Sequence, residues 1–373
     1  MDALTAAGIN QLKVAAHYHS VRTFDPKDDA FGFYTFPGGC LFDPDDQCFE
    51  HTTIRPPPNE IRRRSDSFGD LTSVATGHGI GVDAWVVCYH GTRLASNWPA
   101  YRIEDAYGTA HDHALCPSHP EVRRYFTGLV RNLTQYEIDS IDLESLGFPS
   151  VVHGHGDSYG HHKDHVIQNR TEEYLLSQCF CDGCRARAAK GDIVDLEAAE
   201  ATVRTLCDRY LTDVGDTPPL SQLIAKNPVL EDLFAFREAV IGDQLAALAD
   251  ASGDVSLTYY LADASGYTPD SLWPSGVTPA LLEAYVDRVT ALCYTAETSV
   301  IDERLTAAEE TLSHTVDAGA TLDPSVVDDR AHWDDLYNRI ERQIDGDVFV
   351  YNHALLTDGQ LEWVAPAGTT TLT

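Results

Sequence analysis

Three thiols lie within six residues, in Cys179-Phe-Cys181-Asp-Gly-Cys184, and a fourth stands upstream at Cys116. Cysteines this close form a compact chelate. A fourth thiol from a neighbouring loop completes a tetrahedral S4 site, which leaves no position for water and is therefore structural. The remaining cysteines, Cys40, Cys48, Cys88, Cys207 and Cys293, are scattered and read as buried thiols. A second constellation is acidic. Ser140, Asp142 and Glu144 alternate, so in a strand they share one face. Two carboxylates two residues apart repel, which raises the affinity of one for a proton. A carboxylic acid of raised pKa is what a glycosidic leaving group requires. The structural alternative is that Asp142 pairs with an arginine inside the fold and Glu144 caps a loop. A third constellation is histidine: five of the 16 lie between Val152 and His165, His17 and His19 end one apolar segment, and His90 ends another. Imidazoles gathered near carboxylates bind a catalytic divalent metal, hydrogen-bond sugar hydroxyls, or decorate a solvated loop.

These residues need elements to position them. Short apolar segments that read as strands are Leu12–Tyr18, Gly81–Tyr89, Ile138–Glu144, Val255–Leu261, Ala291–Tyr294 and Val348–Tyr351, with a weak one near Gly319–Leu322. Between them, helical periodicity marks Asp195–Leu211, Pro279–Val289, Ser299–Ser313 and Asp328–Ile344. Another helix follows Pro120, with Ser118 as its expected N-cap. Alternating strands and amphipathic helices predict an α/β fold with a parallel sheet. A Gly-x-Gly-x-x-Gly after the first strand is missing, and polar residues collect at strand ends. Both features favour a (β/α)8 barrel of the TIM type over a doubly wound sheet. Met1–Asn10 reads as the end of a helix, so the barrel's usual first strand is the one unaccounted for. It would lie upstream of Met1, or the barrel would be open or closed by another chain, a homo-oligomer being one way to cover the exposed edges. Counted from that missing strand, Ile138–Glu144 is the fourth. One barrel domain over residues 1–373 is expected, with long insertions at about 22–64 and 147–178 covering the mouth.

Leu115-Cys-Pro-Ser-His-Pro-Glu-Val-Arg-Arg-Tyr-Phe126 resembles the Cys-Pro-x-x-Pro-x-x-Arg-x-Tyr segment of the family 42 β-galactosidases and related glycoside hydrolase barrels. The order that follows is also similar: a strand ending in Glu144, then Cys179, Cys181 and Cys184. The resemblance covers Leu115 to about Ala188. It implies a (β/α)8 fold, a zinc ion at Cys116, Cys179, Cys181 and Cys184, and Glu144 as acid/base. Two departures stand out. The family pattern has Asn-Glu where this chain has Leu143-Glu144. The family's nucleophile is a Glu ending the seventh strand, and near Gly319–Leu322 only Asp317 and Asp323 occur. A retaining mechanism needs two carboxyl groups about 5–5.5 Å apart.

The expected function is therefore a glycoside hydrolase-like enzyme acting on a carbohydrate. Glu144, with Asp142, is the expected catalytic residue. His17, His19, His90, His153, His155, Trp98, Tyr260 and Asn352 are the expected substrate contacts, and zinc is structural. Tyr34, Phe36, Tyr101, Trp273 and Tyr294 add ring faces on which sugars stack, and Arg22 and Arg93 suit a carboxylate or sulfate on a substrate. The alternatives are a metal-dependent hydrolase or isomerase built on the histidines, and a non-catalytic zinc-containing barrel. No Gly-x-Ser-x-Gly elbow or phosphate loop is found.

Composition excludes other classes. Lys plus Arg is 26 and Asp plus Glu is 58, so the net charge is 26 − 58 = −32, with 39 Asp, 19 Glu, 21 Arg and only 5 Lys. A phosphate backbone or anionic membrane would be repelled. Dense Asp with scarce Lys points to a surface of the haloarchaeal, salt-in type, where salt screens the self-repulsion. No apolar run reaches the roughly 20 residues of a membrane span. No secretory leader is seen, so the expected location is cytoplasmic.

Overall fold

The computed structural model describes residues 1–25, 32–59, 66–152, 165–191, 193–212, 217–263 and 265–364. Its strands in chain order are β1 (Gln11–Tyr18), β2 (Val21–Asp25), β3 (Gly32–Phe36), β4 (Gly39–Cys40), β5 (Gly81–Val87) and β6 (Arg102–Glu104). They continue with β7 (Ala110–Leu115), β8 (Ser140–Glu144), β9 (Ser256–Tyr260), β10 (Arg288–Leu292), β11 (Thr315–Thr321) and β12 (Val348–Tyr351). Eight of them form one curled sheet in the order β12-β11-β10-β9-β8-β5-β1-β4. Every neighbouring pair is parallel except β1 with the two-residue β4. The other strands make two antiparallel hairpins, β2 with β3 and β6 with β7.

Among the described residues this is a TIM-type α/β barrel of seven parallel strands, open at one seam. In chain order β1 is the first of these parallel strands and β12 the last. Among the described residues no strand pairs β12 with β1. The two edges meet through side chains instead. Tyr18 and Tyr351 hydroxyls lie 3.4 Å apart, and the Lys13 ammonium sits 5.5 Å from the Phe349 ring centroid. Sequence alternation explains the layers. On β8, Ile141 and Leu143 point outward and are fully buried beneath helices, while Ser140, Asp142 and Glu144 face the barrel interior.

The helix Pro120–Leu133 follows expectation, with Pro120 in its first turn and Val122, Tyr125, Phe126 and Leu129 buried. Each such side chain contributes roughly 1.5–3 kcal/mol of burial. Its N-cap is His119 rather than Ser118, whose hydroxyl lies 3.2 Å from the Cys184 sulfur. The segment expected as one helix, Pro279–Val289, is the helix Pro279–Tyr285 followed by the start of β10. Periodicity also missed the longest helix, Pro228–Ser252. Its buried residues, among them Leu230, Phe234, Val240, Leu245 and Leu248, share one face, but Arg237 and Gln244 interrupt that face and Ala235, Ala239, Ala246 and Ala249 lie opposite it, so the apolar period is blurred.

Candidate functional site

The barrel interior is built in two levels. The lower level is ionic. Lys13 on β1 reaches Asp142 at 2.7 Å and Asp83 at 3.2 Å. Asp142 also accepts from Ser140 Oγ at 2.7 Å and Tyr260 OH at 3.3 Å, and is fully buried. Burial alone pulls the Lys13 ammonium down, but Asp142 and Asp83 more than offset this and hold it above its ordinary value. Asp142 thus pairs inside the barrel with a lysine, where an arginine was the expected structural partner, and does not line the cavity above.

The upper level is aromatic. The Trp85 ring packs against Tyr18 at 5.2 Å, Tyr260 at 5.6 Å and Tyr351 at 5.8 Å between centroids. Trp85 Nε1 donates to Glu144 Oε2 at 2.7 Å. Above this floor lies a cavity of about 1190 Å³, into which Glu144 faces. Burial pushes the Glu144 carboxyl up to about 7, helped by the charge of Asp263 and opposed by the Trp85 hydrogen bond. An acid poised there is protonated in a substantial fraction near neutrality.

The turn after Glu144 is tightly held. Ser145 takes a left-handed φ of 55°, a conformation that costs a non-glycine residue roughly 1 kcal/mol. The chain is fixed from both sides: the Cys88 amide donates to Glu144 O at 2.8 Å and the Tyr89 amide to Ser145 O at 3.1 Å. Two residues on, the Gly147 amide donates to Asp263 Oδ2 at 3.0 Å. A Cβ on Gly147 would fall 2.2 Å from that oxygen, so only glycine allows the approach. Asp263 also accepts from Tyr259 OH at 3.0 Å and Ser275 Oγ at 3.3 Å. It acts as a clamp on the Glu144 loop.

The histidines divide. His19 and His90 line the cavity, their rings stacked 5.0 Å apart, with His19 also stacked on Tyr18 at 4.2 Å. His17 does not join them. A bulge between Ala15 and His17 shifts the register of β1 against β5, so strict alternation does not carry through to His17 and His19. His17 instead lies edge-on to Tyr125 and Phe126, with Nδ1 2.7 Å from Val87 O. Burial pushes its imidazole down to about 4, so it is neutral and Nδ1–H is the donor. His153 and His155 lie outside the described residues. Tyr260 lines the cavity, and Asn352 does not, although its neighbour Tyr351 does. Trp98 stacks on Tyr101, away from the cavity. Sequence reasoning passed over Trp85, Tyr18, Tyr351 and Arg304. Of these, Trp85 carried a signal: it alternates with Asp83 on an otherwise apolar strand.

The four thiols converge where β7 and the loop before the helix Asp182–Ala188 meet. The sulfurs of Cys116, Cys179, Cys181 and Cys184 all lie within 4.8 Å of one another, and all four residues are buried. Cys116 is 3.6 Å from Cys184 and 3.7 Å from Cys179. A tetrahedral ion with metal–sulfur bonds of about 2.3 Å sets its ligands roughly 3.8 Å apart, so the cluster could hold a metal ion. The amides of Glu104 and Ser118 point at Cys179 and Cys116 sulfurs at 3.3 and 3.4 Å, as donors to thiolates would. Arg237, buried beside the cluster, places a positive charge near the thiols. His119 Nε2 approaches Cys181 at 3.4 Å, and Tyr101 leans on His119. Trp98 thus belongs to the aromatic flank of this cluster.

No family model and no curated protein matches the chain by sequence. Solved structures do match by shape. An α-L-fucosidase isoenzyme 2 from Paenibacillus thiaminolyticus superposes with a TM-score of 0.54 at 12% identity, over 98% of this chain and 44% of that one. The catalytic domain of a β-amylase from Paenibacillus polymyxa gives 0.52 at 10% identity, over 98% and 90%. A β-galactosidase from Rahnella sp. R3 gives 0.50 at 10% identity, over 94% and 46%. These neighbours are glycoside hydrolases. At such identities the likeness establishes the fold alone, and the chain spans less than half the length of the fucosidase and the galactosidase. Among the described residues, no helix is long and apolar enough to cross a membrane.

Proposed function

We propose that this chain is a glycoside hydrolase-like enzyme in which Glu144 serves as general acid/base on a carbohydrate held in the mouth cavity. The observation that carries the reading is the setting of Glu144. It ends β8, a central parallel strand of the barrel, is held by an indole N–H, has a carboxyl raised to about 7, and faces an aromatic-floored cavity. Active sites of such barrels sit at this end of the strands. The protonated carboxyl would pass its proton to the glycosidic oxygen as the C–O bond breaks, Trp85 would stabilise the carboxylate left behind, and water would add to the anomeric carbon and return a proton to Glu144. Aromatic faces suit the C–H faces of sugar rings. The Cys-Pro segment and the placement of Cys116 ahead of β8 support a relation to the family 42 type.

We read the metal as structural zinc. Four buried sulfurs leave no open position, and the ion's role would be to tie the β7 loop to the loop after β8. The reaction itself would fall to Glu144 and its neighbours.

The test is hydrolysis of a panel of aryl glycosides. The wild type should cleave at least one, with activity falling as pH rises through about 7. Glu144→Gln should lose about 10²–10⁴-fold in kcat. Full activity in that variant would sink the assignment. A second reading has one observation in its favour: among the described residues lining the cavity, Glu144 is the single carboxylate. A carbohydrate-binding barrel without hydrolysis would bind sugars equally in the wild type and Glu144→Gln and cleave none.

A further inference from the structure

The mouth cavity carries a charge pattern opposite to that of the chain. Acidic residues outnumber basic ones 58 to 26 overall. Among the described residues lining the cavity, three are arginines (Arg22, Arg93 and Arg304) and one, Glu144, is acidic. The arginines come from different walls. Arg22 lies at the start of the hairpin that follows β1, its guanidinium 4.3 Å from the Phe33 ring centroid. Arg304 projects from the helix Thr298–Thr311 after β10, 4.0 Å from the Tyr267 ring centroid, and donates to Leu292 O at the end of that strand. Arg93 is tied to the carbonyls of Gly38 and Pro58 at 3.0 and 3.3 Å.

Two observations say what this charge is for. First, among the described residues neither Arg22 nor Arg304 forms an ion pair. Elsewhere in the molecule Arg288 pairs with Asp317, Arg339 with Asp302 and Arg187 with Asp243. Among the described residues both guanidiniums thus stand at the cavity wall with no carboxylate neutralising them, in a chain whose acids outnumber its bases more than two to one. Second, the charge felt by Glu144 is that of Asp263, and no arginine acts on it. The guanidiniums are therefore not placed to keep Glu144 ionised. Arg22 and Arg304 each lie over an aromatic ring, which leaves N–H groups of the planar edge, beyond the one Arg304 gives to Leu292 O, to meet an anion, and a guanidinium edge matches a carboxylate or sulfate bidentately.

We propose that the cavity takes an acidic carbohydrate, a sugar bearing a carboxylate or sulfate group, with Arg304 and Arg22 as its anion-recognising residues. The proposal rests on the carbohydrate reading above. Around the ligand, the −32 field of the whole chain repels free anions, and the local arginines offset that repulsion only inside the mouth.

The experiment titrates matched sugars at fixed ionic strength by ligand-observed NMR, in the Glu144→Gln background to prevent turnover. The pairs are glucuronate with glucose, galacturonate with galactose, and each neutral sugar with its 6-sulfate. In at least one pair the acidic member should bind about tenfold more tightly or better. Arg304→Gln or Arg22→Gln should reduce that preference at least threefold, and the double variant should abolish it. Carboxylate and sulfate sources are told apart by which pair shows it. Equal binding across all pairs, no binding of any acidic sugar, or a preference that survives in the folded double variant would overturn the proposal. The two readings fail separately. Glu144-dependent cleavage of a neutral glycoside without acidic preference rejects this inference alone. Acidic preference with no cleavage in the wild type rejects only the hydrolase reading.

Discussion

At the scale of single residues, Glu144 and His17 sit close to opposite ends of one pH window. A carboxyl raised to about 7 stays protonated in the fold while the unfolded chain would ionise it. The fold therefore loses stability as pH rises from about 4.5 to 7, and Glu144→Gln should be more stable than the wild type at pH 8, by on the order of 2 kcal/mol. His17, lowered to about 4, acts in the other direction: stability present above its unfolded value near 6.5 drains away as pH falls toward 4. Denaturation midpoints of wild type and Glu144→Gln between pH 4 and 8 check both. If the gap between the two proteins does not widen with rising pH, the Glu144 environment is misjudged. Strand alternation was enough to put Ser140, Asp142 and Glu144 on one face. It could not reveal that a bulge at Ala15–His17 breaks the same rule on β1, because a bulge is a backbone event with no side-chain signature in that stretch. The structural alternative to a catalytic Asp142 pairs it with an arginine. The lone Lys13 in an apolar strand was the cue to the real partner.

At the scale of elements, the Lys13–Asp142–Asp83 cluster ties β1, β5 and β8 together across the barrel interior. Removing one partner of a buried pair strands the other's charge. Lys13→Met should therefore destabilise the protein by about 3 kcal/mol in chemical denaturation. Asp142→Asn should cost a similar amount while leaving the alkaline limb of any activity profile in place, since that limb belongs to Glu144. A profile shifted by Asp142→Asn would assign the proton to Asp142 instead. Strand order was readable because fully buried parallel strands announce themselves as apolar runs. The helix Pro228–Ser252 was not, because Arg237 and Gln244 on its buried face and alanines opposite it blur the period that reveals a helix. The mouth loops were legible as insertions, but which of their residues reach the cavity depends on turns that composition does not specify. Arg304 lies on a helix whose register was foreseen. Its reach to Leu292 O was not, since it depends on how that helix packs against the strand end.

At the scale of the whole molecule, the acidic surface and the thiol cluster each make a claim. Self-repulsion at −32 should be relieved by salt, so the melting temperature should rise steeply between low salt and molar KCl and then level off. A flat response would mean the acids are individually compensated. The thiol cluster should carry close to one zinc per chain by elemental analysis. Cys184→Ser should lose the metal and several kcal/mol of stability, while alanine at His19 or His90 should leave the metal content unchanged. A barrel open at one seam also has a consequence for its motions. The outer backbone edge of β12, and that of β1 below its two-residue contact with β4, lack a strand neighbour among the described residues. Their amides should exchange with solvent deuterium far sooner than those of β8 and β9, which are flanked on both sides. β1 and β12 would then form the soft margin of the sheet, and the strands on either side of the Glu144 turn its slowest-breathing part.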